Sequence, residues 1–258
     1  MNLIYATDMD RTVIYSKKFL DEYKPKCKYE VAEKKEDREI SYISTEVKEK
    51  LKKLNKQLNL KIVPVTTRSL EEFNRIDLGF KTKYVIVSNG GVILENGKPM
   101  SEWEEYINKN IALNELMLAS MDLEDLESTI RDTKIIDGKY LFNKVENTEV
   151  FDVEVEILKE RYTSLEFVRQ RNKVYAIPKA FSKAIALRWL QNKLKADTLV
   201  VSGDSELDLP MLAIANYAVI PKHGSLYKDG YVLNGRLTDE GINSPLYTIN
   251  LVNELMSS

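Results

Sequence analysis

Apolar residues come in short runs separated by amphipathic segments over most of the chain. LIYAT, residues 3–7, is a continuous apolar run of strand length. In STEVKEKLKKLNKQLN, Val47, Leu51, Leu54 and Leu58 recur at helical spacing behind Ser44 or Thr45 as a cap. KIVPVTTRS predicts a second strand ending in hydroxyls, SLEEFNRI a short helix, and YVIVSNGGVI a third strand. Strands that alternate with helices predict a parallel sheet, because each helical crossover returns the chain to the same end of the sheet.

The rhythm breaks after NGKPM. The stretch 95–178 predicts a helical segment near LNELMLASMDLEDLESTIRD, a strand pair in KIIDGKYLFNKVE, a helix near VFDVEVEILKERY, and two alternating strands in LEFVRQRNKVYAIP. At PKAFSKAIALRWLQNKL a helix resumes, followed by TLVVSGD, ELDLPMLAIA and NYAVIP. The expected architecture is therefore α/β: a doubly wound, Rossmann-like parallel sheet built from 1–94 and 179–258, with an α+β domain inserted over 95–178. Residues 21–43 are too many for a plain strand-to-helix link. KYEVAE and REISYIS around a charged KKED predict either a hairpin flap beside the crevice or a solvated charged loop.

Composition narrows the function classes. With 258 residues, 43% hydrophobic and 30% charged, the chain can bury a full core. A net charge of -2 provides no global field for nucleic acid or an anionic membrane, so neither is an expected partner. Cys27 has no second cysteine to pair with and lies in a lysine-rich segment. There is neither a run of eighteen apolar residues nor a signal-peptide pattern, and the expectation is a cytoplasmic protein. Trp103 and Trp189 read as packing residues. His223, the only histidine, lies in the turn sequence PKHG and reads as a surface residue that supports no histidine chemistry.

Chemistry concentrates where the predicted strands end, which is where open α/β sheets bind ligands. Asp8 and Asp10 follow the first strand, Thr66 and Thr67 with Arg68 the second, Ser88 and Asn89 the third, and Asp204 and Asp208 the strand TLVVSGD. Lys183 lies near the start of the helix after the insert. Taken alone, DMDRT fits a cation-binding acid pair and a capped turn equally well. The full set suits Mg2+ plus a phosphoryl group, since carboxylates hold the cation while hydroxyl, ammonium and backbone N–H groups hold phosphate oxygens. At an effective dielectric near 20, a carboxylate about 4 Å from a phosphate dianion is repelled by roughly 8 kcal/mol, so an attacking aspartate needs the cation and the lysine beside it.

DMDRT, the strand ending in Thr66, Lys183 and GDSELD resemble, in order and on the expected elements, the four motifs of the haloacid dehalogenase (HAD) superfamily of phosphatases. SNGGVI followed by a long α+β insert is similar to the large-cap (C2) branch that includes the Cof-type and sucrose-phosphate phosphatases. The resemblance spans nearly the whole chain. It implies a phosphomonoester hydrolase that acts on a small phosphorylated metabolite, of the sugar phosphate or nucleotide class. Asp8 would be the nucleophile that forms an aspartyl-phosphate, and Asp10 the acid and base. Mg2+ would be held by Asp8, the Asp10 carbonyl and Asp204, with Asp208 a ligand or an acceptor behind the ligands. Thr66 and Lys183 would bind the transferring group. Asp10 itself favours phosphatase over dehalogenase or phosphonatase chemistry, because a departing alkoxide needs a proton.

Where the family usually has small residues or Gly, this chain has Arg11, Thr67 and Ala184, and it has Leu207 where Asn is usual. Arg11 either reaches an anionic part of the substrate or serves as a structural ion-pair partner. Specificity is expected to involve Arg11, Thr67, Arg68 and Asn89 in the core, and Asn143, Lys144, Arg169 and Arg171 on the insert's strands. The alternatives are a phosphate-binding or regulatory protein on the same scaffold, a receiver-like phosphoacceptor and a metal-dependent glycosyltransferase. The large insert argues against the second, and the N-terminal position of the Asp-x-Asp against the third.

Overall fold

The structure, a computed structural model, describes residues 2–230 and 235–257. The chain forms two compact units, one made of 1–99 with 183–258 and the other of 100–182.

The first unit begins with β1 (Leu3–Thr7), every residue of which is buried, and a two-residue strand β2 (Tyr15–Ser16). Helix α1 (Lys17–Tyr23) is capped by Ser16 and leads into β3 (Tyr29–Lys35) and β4 (Arg38–Ser44), an antiparallel hairpin. Within the charged 21–43 segment, residues 29–43 thus lie in a hairpin rather than a solvated loop.

Helix α2 (Thr45–Leu54) buries Val47, Leu51 and Leu54 at helical spacing. Leu58, expected to continue that stripe, is 89% exposed because the helix ends before it. Next come β5 (Leu60–Pro64), α3 (Leu70–Asn74) with a Ser69/Glu72 capping box, β6 (Tyr84–Val87), β7 (Val92–Glu95) and β8 (Lys98–Pro99).

The second unit holds α4 (Ser101–Asn110), α5 (Leu113–Glu124), β9 (Lys134–Ile136), β10 (Tyr140–Lys144), α6 (Thr148–Arg161), β11 (Leu165–Gln170) and β12 (Lys173–Pro178). Its four strands pair antiparallel in the order β11-β12-β10-β9. Leu141, Val145, Leu165, Phe167, Val174 and Ala176 cover one face of that sheet and pack against Leu116 and Leu123 of α5 and Phe151, Val155 and Leu158 of α6. Helix α4 was not expected from the sequence. Its apolar content is little more than buried Trp103 and Ile107, with Trp103 stacked on Tyr106.

The chain re-enters the first unit with α7 (Lys183–Leu194), β13 (Thr198–Ser202), α8 (Leu209–Ala213), β14 (Tyr217–Pro221), α9 (Ser225–Lys228), β15 (Arg236–Thr238) and α10 (Pro245–Ser257). The central sheet is parallel, in the order β15-β14-β13-β1-β5, and a bridge from Val65 to Ile86 adds β6 beside β5.

From β1 the chain winds outward through β5, and after the insert it winds the other way from β13. The order therefore reverses between β1 and β13, and that reversal opens a crevice beyond their carboxyl ends. The registers Thr7↔Ser202 and Thr7↔Pro64 bring those ends level, so Asp8, Asp204 and Thr66 emerge side by side. Among the described residues no helix is long and apolar enough to cross a membrane.

Candidate active site

The Asp8 N–H donates to the Ser202 carbonyl at 2.9 Å, which fixes where β1 stops. Met9, the next residue, is fully buried, and its carbonyl accepts the N–H groups of Thr12, Val13 and Ile14. This closes a tight turn that needs Arg11 at φ 62. A side chain there costs roughly 1–2 kcal/mol relative to glycine, which explains the small residue usual at this place. Arg11 offsets the cost with a charged contact from Nε to Asp204 Oδ2 at 3.3 Å and a hydrogen bond from its guanidinium to the His223 carbonyl at 3.0 Å. Both contacts are of the kind a structural ion-pair partner makes.

Lys183 at the start of α7 is 2% exposed, and its Nζ donates to Asp8 Oδ1 and Asp208 Oδ1, each at 2.6 Å. The other oxygen of Asp208 accepts the N–H groups of Asp204 and Ser205 and the Ser205 hydroxyl at 3.0–3.1 Å. Both Asp208 oxygens are therefore committed to holding Lys183 and the loop that presents Asp204. Glycine is required on both sides of Asp204. A Cβ on Gly203 would lie 2.6 Å from the Asp208 Cβ, and one on Gly224 would lie 2.6 Å from the Asp204 carbonyl oxygen.

The charges in this pocket do not balance. Carboxylate oxygens of Asp8, Asp204 and Asp208 lie within 4.8 Å of one another, and all three residues are buried. Burial, then the neighbouring Asp208 charge, push Asp8 up to about 7 from 3.8, against the pull of Lys183. Burial and the charges of Asp8 and Asp208 also raise Asp204 well above the ordinary carboxylate range. Burial opposes the charge on Lys183, but Asp208 and Asp8 more than reverse that and raise its pKa. A set of hard oxygen donors with excess negative charge fits a divalent cation. The oxygens best placed to ligate are those of Asp8 Oδ2, whose partner among the described residues is the Thr12 hydroxyl at 3.3 Å, and of the Asp204 carboxylate, which meets the Arg11 Nε.

The remaining candidates divide by location. Thr66 is fully buried one residue beyond the Val65 N–H bond to the Thr7 carbonyl, and its hydroxyl accepts the Arg68 N–H at 3.1 Å. Asn89 lies next to it, tied through its N–H to the Thr66 carbonyl, with φ 57 and a buried side-chain oxygen that has no partner among the described residues. The Arg68 guanidinium grips both oxygens of the Asp10 carboxylate at 2.7 and 2.8 Å.

On the insert, Asn143 is buried, and Arg169, although exposed, is held in an ion pair. Asn143 shares its sheet face with Leu141 and Val145, is 1% exposed, and donates to the Ile130 carbonyl and the Thr133 hydroxyl. Arg169 lies on that face too and forms a two-bond pair with Asp152 of α6. Strand alternation, not polarity, decided their side. The opposite face carries Tyr140, Phe142 and Tyr175, with ring centroids 5.5–6.2 Å apart. Exposed Lys144 ends β10 on that opposite face, and Arg171 occupies the β11–β12 turn at φ 56.

His223, expected on the surface, is fully buried between Tyr15, Phe19 and Tyr23. Its Nε2–H donates to the Arg11 carbonyl at 2.6 Å, and its Nδ1 accepts the Gly241 N–H. It braces the Arg11 turn from behind. A turn sequence of Pro, Lys and Gly carries no sign of such burial.

The profile of the sucrose-6F-phosphate phosphohydrolase family matches residues 1–223. The chain belongs to that family. It is accordingly a phosphatase of the HAD superfamily, in the branch that its four motifs and long insert resemble. Among solved structures it is similar to the sucrose-phosphatase of Synechocystis sp. PCC6803, solved with sucrose and phosphate, at 14% identity and TM-score 0.69 over 98% of each chain. A HAD-superfamily phosphatase from Bacteroides thetaiotaomicron is 19% identical at TM-score 0.60, over 96% of this chain and 93% of that one. A HAD subclass IIB sugar phosphatase is 10% identical at TM-score 0.62, over 97% and 98%. These likenesses establish the fold. A comparison with curated proteins found no match.

Proposed function

We propose that this family member hydrolyses a sugar phosphate monoester with Mg2+ through a phosphoryl group carried on Asp8. The observation that carries the reading is Asp8 buried at the sheet's switch point with the Lys183 ammonium 2.6 Å from its oxygen and Asp204 and Asp208 in the same cluster. In the first step an Asp8 oxygen attacks phosphorus and the phosphorus–oxygen ester bond breaks. The departing alkoxide takes a proton from the Asp10 carboxyl and leaves as the sugar alcohol. In the second step the Asp10 carboxylate takes a proton from water, whose oxygen attacks phosphorus and displaces Asp8, releasing inorganic phosphate.

Lys183 and the Thr66 hydroxyl would hold the equatorial oxygens as charge redistributes. Asp8, Asp204 and the Asp10 carbonyl would hold Mg2+, which would supply charge neutralisation during phosphoryl transfer. Asp208 acts one layer back, keeping Lys183 and the Asp204 loop in place. Sucrose 6F-phosphate, which gives the family its name, is the first compound to test.

The test is phosphate release from sucrose 6F-phosphate, other sugar phosphates, nucleotides and an aryl phosphate, with Mg2+ and with chelator, by wild type and Asp8→Asn. Metal-dependent release that the substitution abolishes, greatest with a sugar phosphate, is expected. Binding of these compounds without release from any would support a phosphate-binding protein on the same scaffold instead.

A further inference from the structure

The β3–β4 hairpin carries a residue that no motif covers. Glu33 sits in the middle of a highly charged strand, YEVAEKK, yet its side chain is fully buried. Register shifts on both sides of it, between Val31 and Glu33 and between Glu33 and Lys34, form a bulge that breaks the alternation and turns Glu33 inward behind Ala32. A buried carboxylate is tolerated only with partners, and Glu33 has two guanidiniums. Its Oε2 accepts from Arg68 at 2.6 Å and from the Ser41 hydroxyl at 3.4 Å, and its Oε1 accepts from Arg75 at 3.2 Å.

Arg68 is the link to the chemistry. Its guanidinium reaches Glu33 with one nitrogen and grips both oxygens of Asp10 with the other two. The side chain of Arg68 is 14% exposed, that of Asp10 50%. Burial works against the charge on Arg68, but the bonds to Asp10 and Glu33 hold its pKa above the ordinary guanidinium value. The hairpin end of the link is itself anchored. The Asp77 N–H donates to the Ala32 carbonyl, Glu33 bridges to Ile76, and Lys48 joins Glu30 of β3 to Asp77. The orientation of Asp10, whose side chain is half exposed, is thus tied through one arginine to a buried acid on a separate element.

We infer that Glu33 is a positioning residue for the proton-transfer step: by fixing the Arg68 fork, it aims the Asp10 carboxyl at the leaving-group oxygen. The inference rests on the reading of Asp10 as acid and base. The bland alternative is that the network merely pins the hairpin to α3 and the following loop, a common use of a buried ion pair. The two differ in one measurable respect. A misaimed acid slows expulsion of a poor leaving group, which needs the proton, and spares a good one. A loosened hairpin slows both alike.

The experiment compares the single-turnover rate of leaving-group release, the step in which Asp10 serves as acid, for 4-nitrophenyl phosphate and for an alkyl sugar phosphate, each with Mg2+, in wild type, Asp10→Asn, Glu33→Gln and Glu33→Asp. Glu33→Asp keeps a buried charge opposite the two arginines while withdrawing it from Arg68, so the test survives if Glu33→Gln fails to fold. A misplacement of this kind is expected to lower that rate for the alkyl phosphate on the order of 10- to 100-fold, with release from the aryl phosphate nearly unaffected. Asp10→Asn is expected to show the same selectivity more strongly, on the order of 10²- to 10⁴-fold. If Asp10→Asn discriminates between the leaving groups while the folded Glu33 variants slow both substrates equally, or neither, the positioning role is wrong and the acid–base role stands. If Asp10→Asn itself fails to discriminate, the acid–base reading falls and the role of Glu33 falls with it.

Discussion

In chelator, the contribution of Asp8 to the stability of the folded protein should fall as pH rises from about 4 to about 7. Its pKa is pushed up from 3.8 to about 7 by burial, then by Asp208. Between those values the folded protein holds a proton that the unfolded chain has already released. The stability that Asp8 contributes therefore falls with rising pH across that window and levels off above about 7. At about 1.4 kcal/mol per pH unit, the loss comes to roughly 4 kcal/mol. Asp204 is raised in the same direction and repels Asp8, so the proton steps belong to the pair.

Urea denaturation at several pH values in that window, in chelator, for wild type and Asp8→Asn would isolate the effect. The stability of wild type relative to Asp8→Asn should fall as pH rises, because only wild type must place a charge there. Saturating Mg2+ should reverse the slope, since a cation favours the ionised acids and its binding releases their protons. A wild-type advantage in chelator that stays constant or grows with pH would refute the claim that burial and mutual repulsion hold Asp8 protonated.

Three further outcomes follow from particular contacts. Lys183→Met leaves Asp8 and Asp208 without the buried ammonium between them, and should destabilise the metal-free protein by about 3–5 kcal/mol in denaturant titration. With Mg2+ present, turnover should drop about 10²- to 10³-fold. Gly224→Ala puts a Cβ 2.6 Å from the Asp204 carbonyl oxygen, so thermal melts should show a loss of about 1–3 kcal/mol, and phosphate release should slow as Asp204 shifts. Burial lowers His223 from 6.5 to about 4, so the stability it contributes is present above about 6.5 and lost as pH falls toward about 4, by roughly 3 kcal/mol. The advantage of wild type over His223→Gln should shrink over that same acid window, and a pH-independent difference would contradict the buried neutral ring.

The core of this molecule was legible because two periodicities are strong. All-apolar strands such as LIYAT alternate with helices such as α2, whose Val47, Leu51 and Leu54 stripe is plain, and that rhythm implies a parallel sheet. Strand ends then indicate where Asp8, Thr66 and Asp204 must meet. Helix α4 was missed because SEWEEYINKN buries only Trp103 and Ile107 and reads as polar. Asn143 and Arg169 read as specificity candidates by their polarity, although the two-residue period puts Asn143 with Leu141. Glu33 was out of reach for a different reason. It depends on a bulge and on two distant arginines, neither of which leaves a local pattern. His223 is hidden in the same way, buried by aromatic residues about 200 positions earlier in the chain.

The central claim is that phosphate passes through Asp8, and the most direct measurement is acid quench of the enzyme with Mg2+ and its best sugar phosphate, followed by peptide mapping. The account predicts a phosphoryl group on the peptide that contains Asp8, formed and lost at rates compatible with turnover and absent from Asp8→Asn. Turnover that proceeds with no label on that peptide, or that persists in Asp8→Asn, would contradict it.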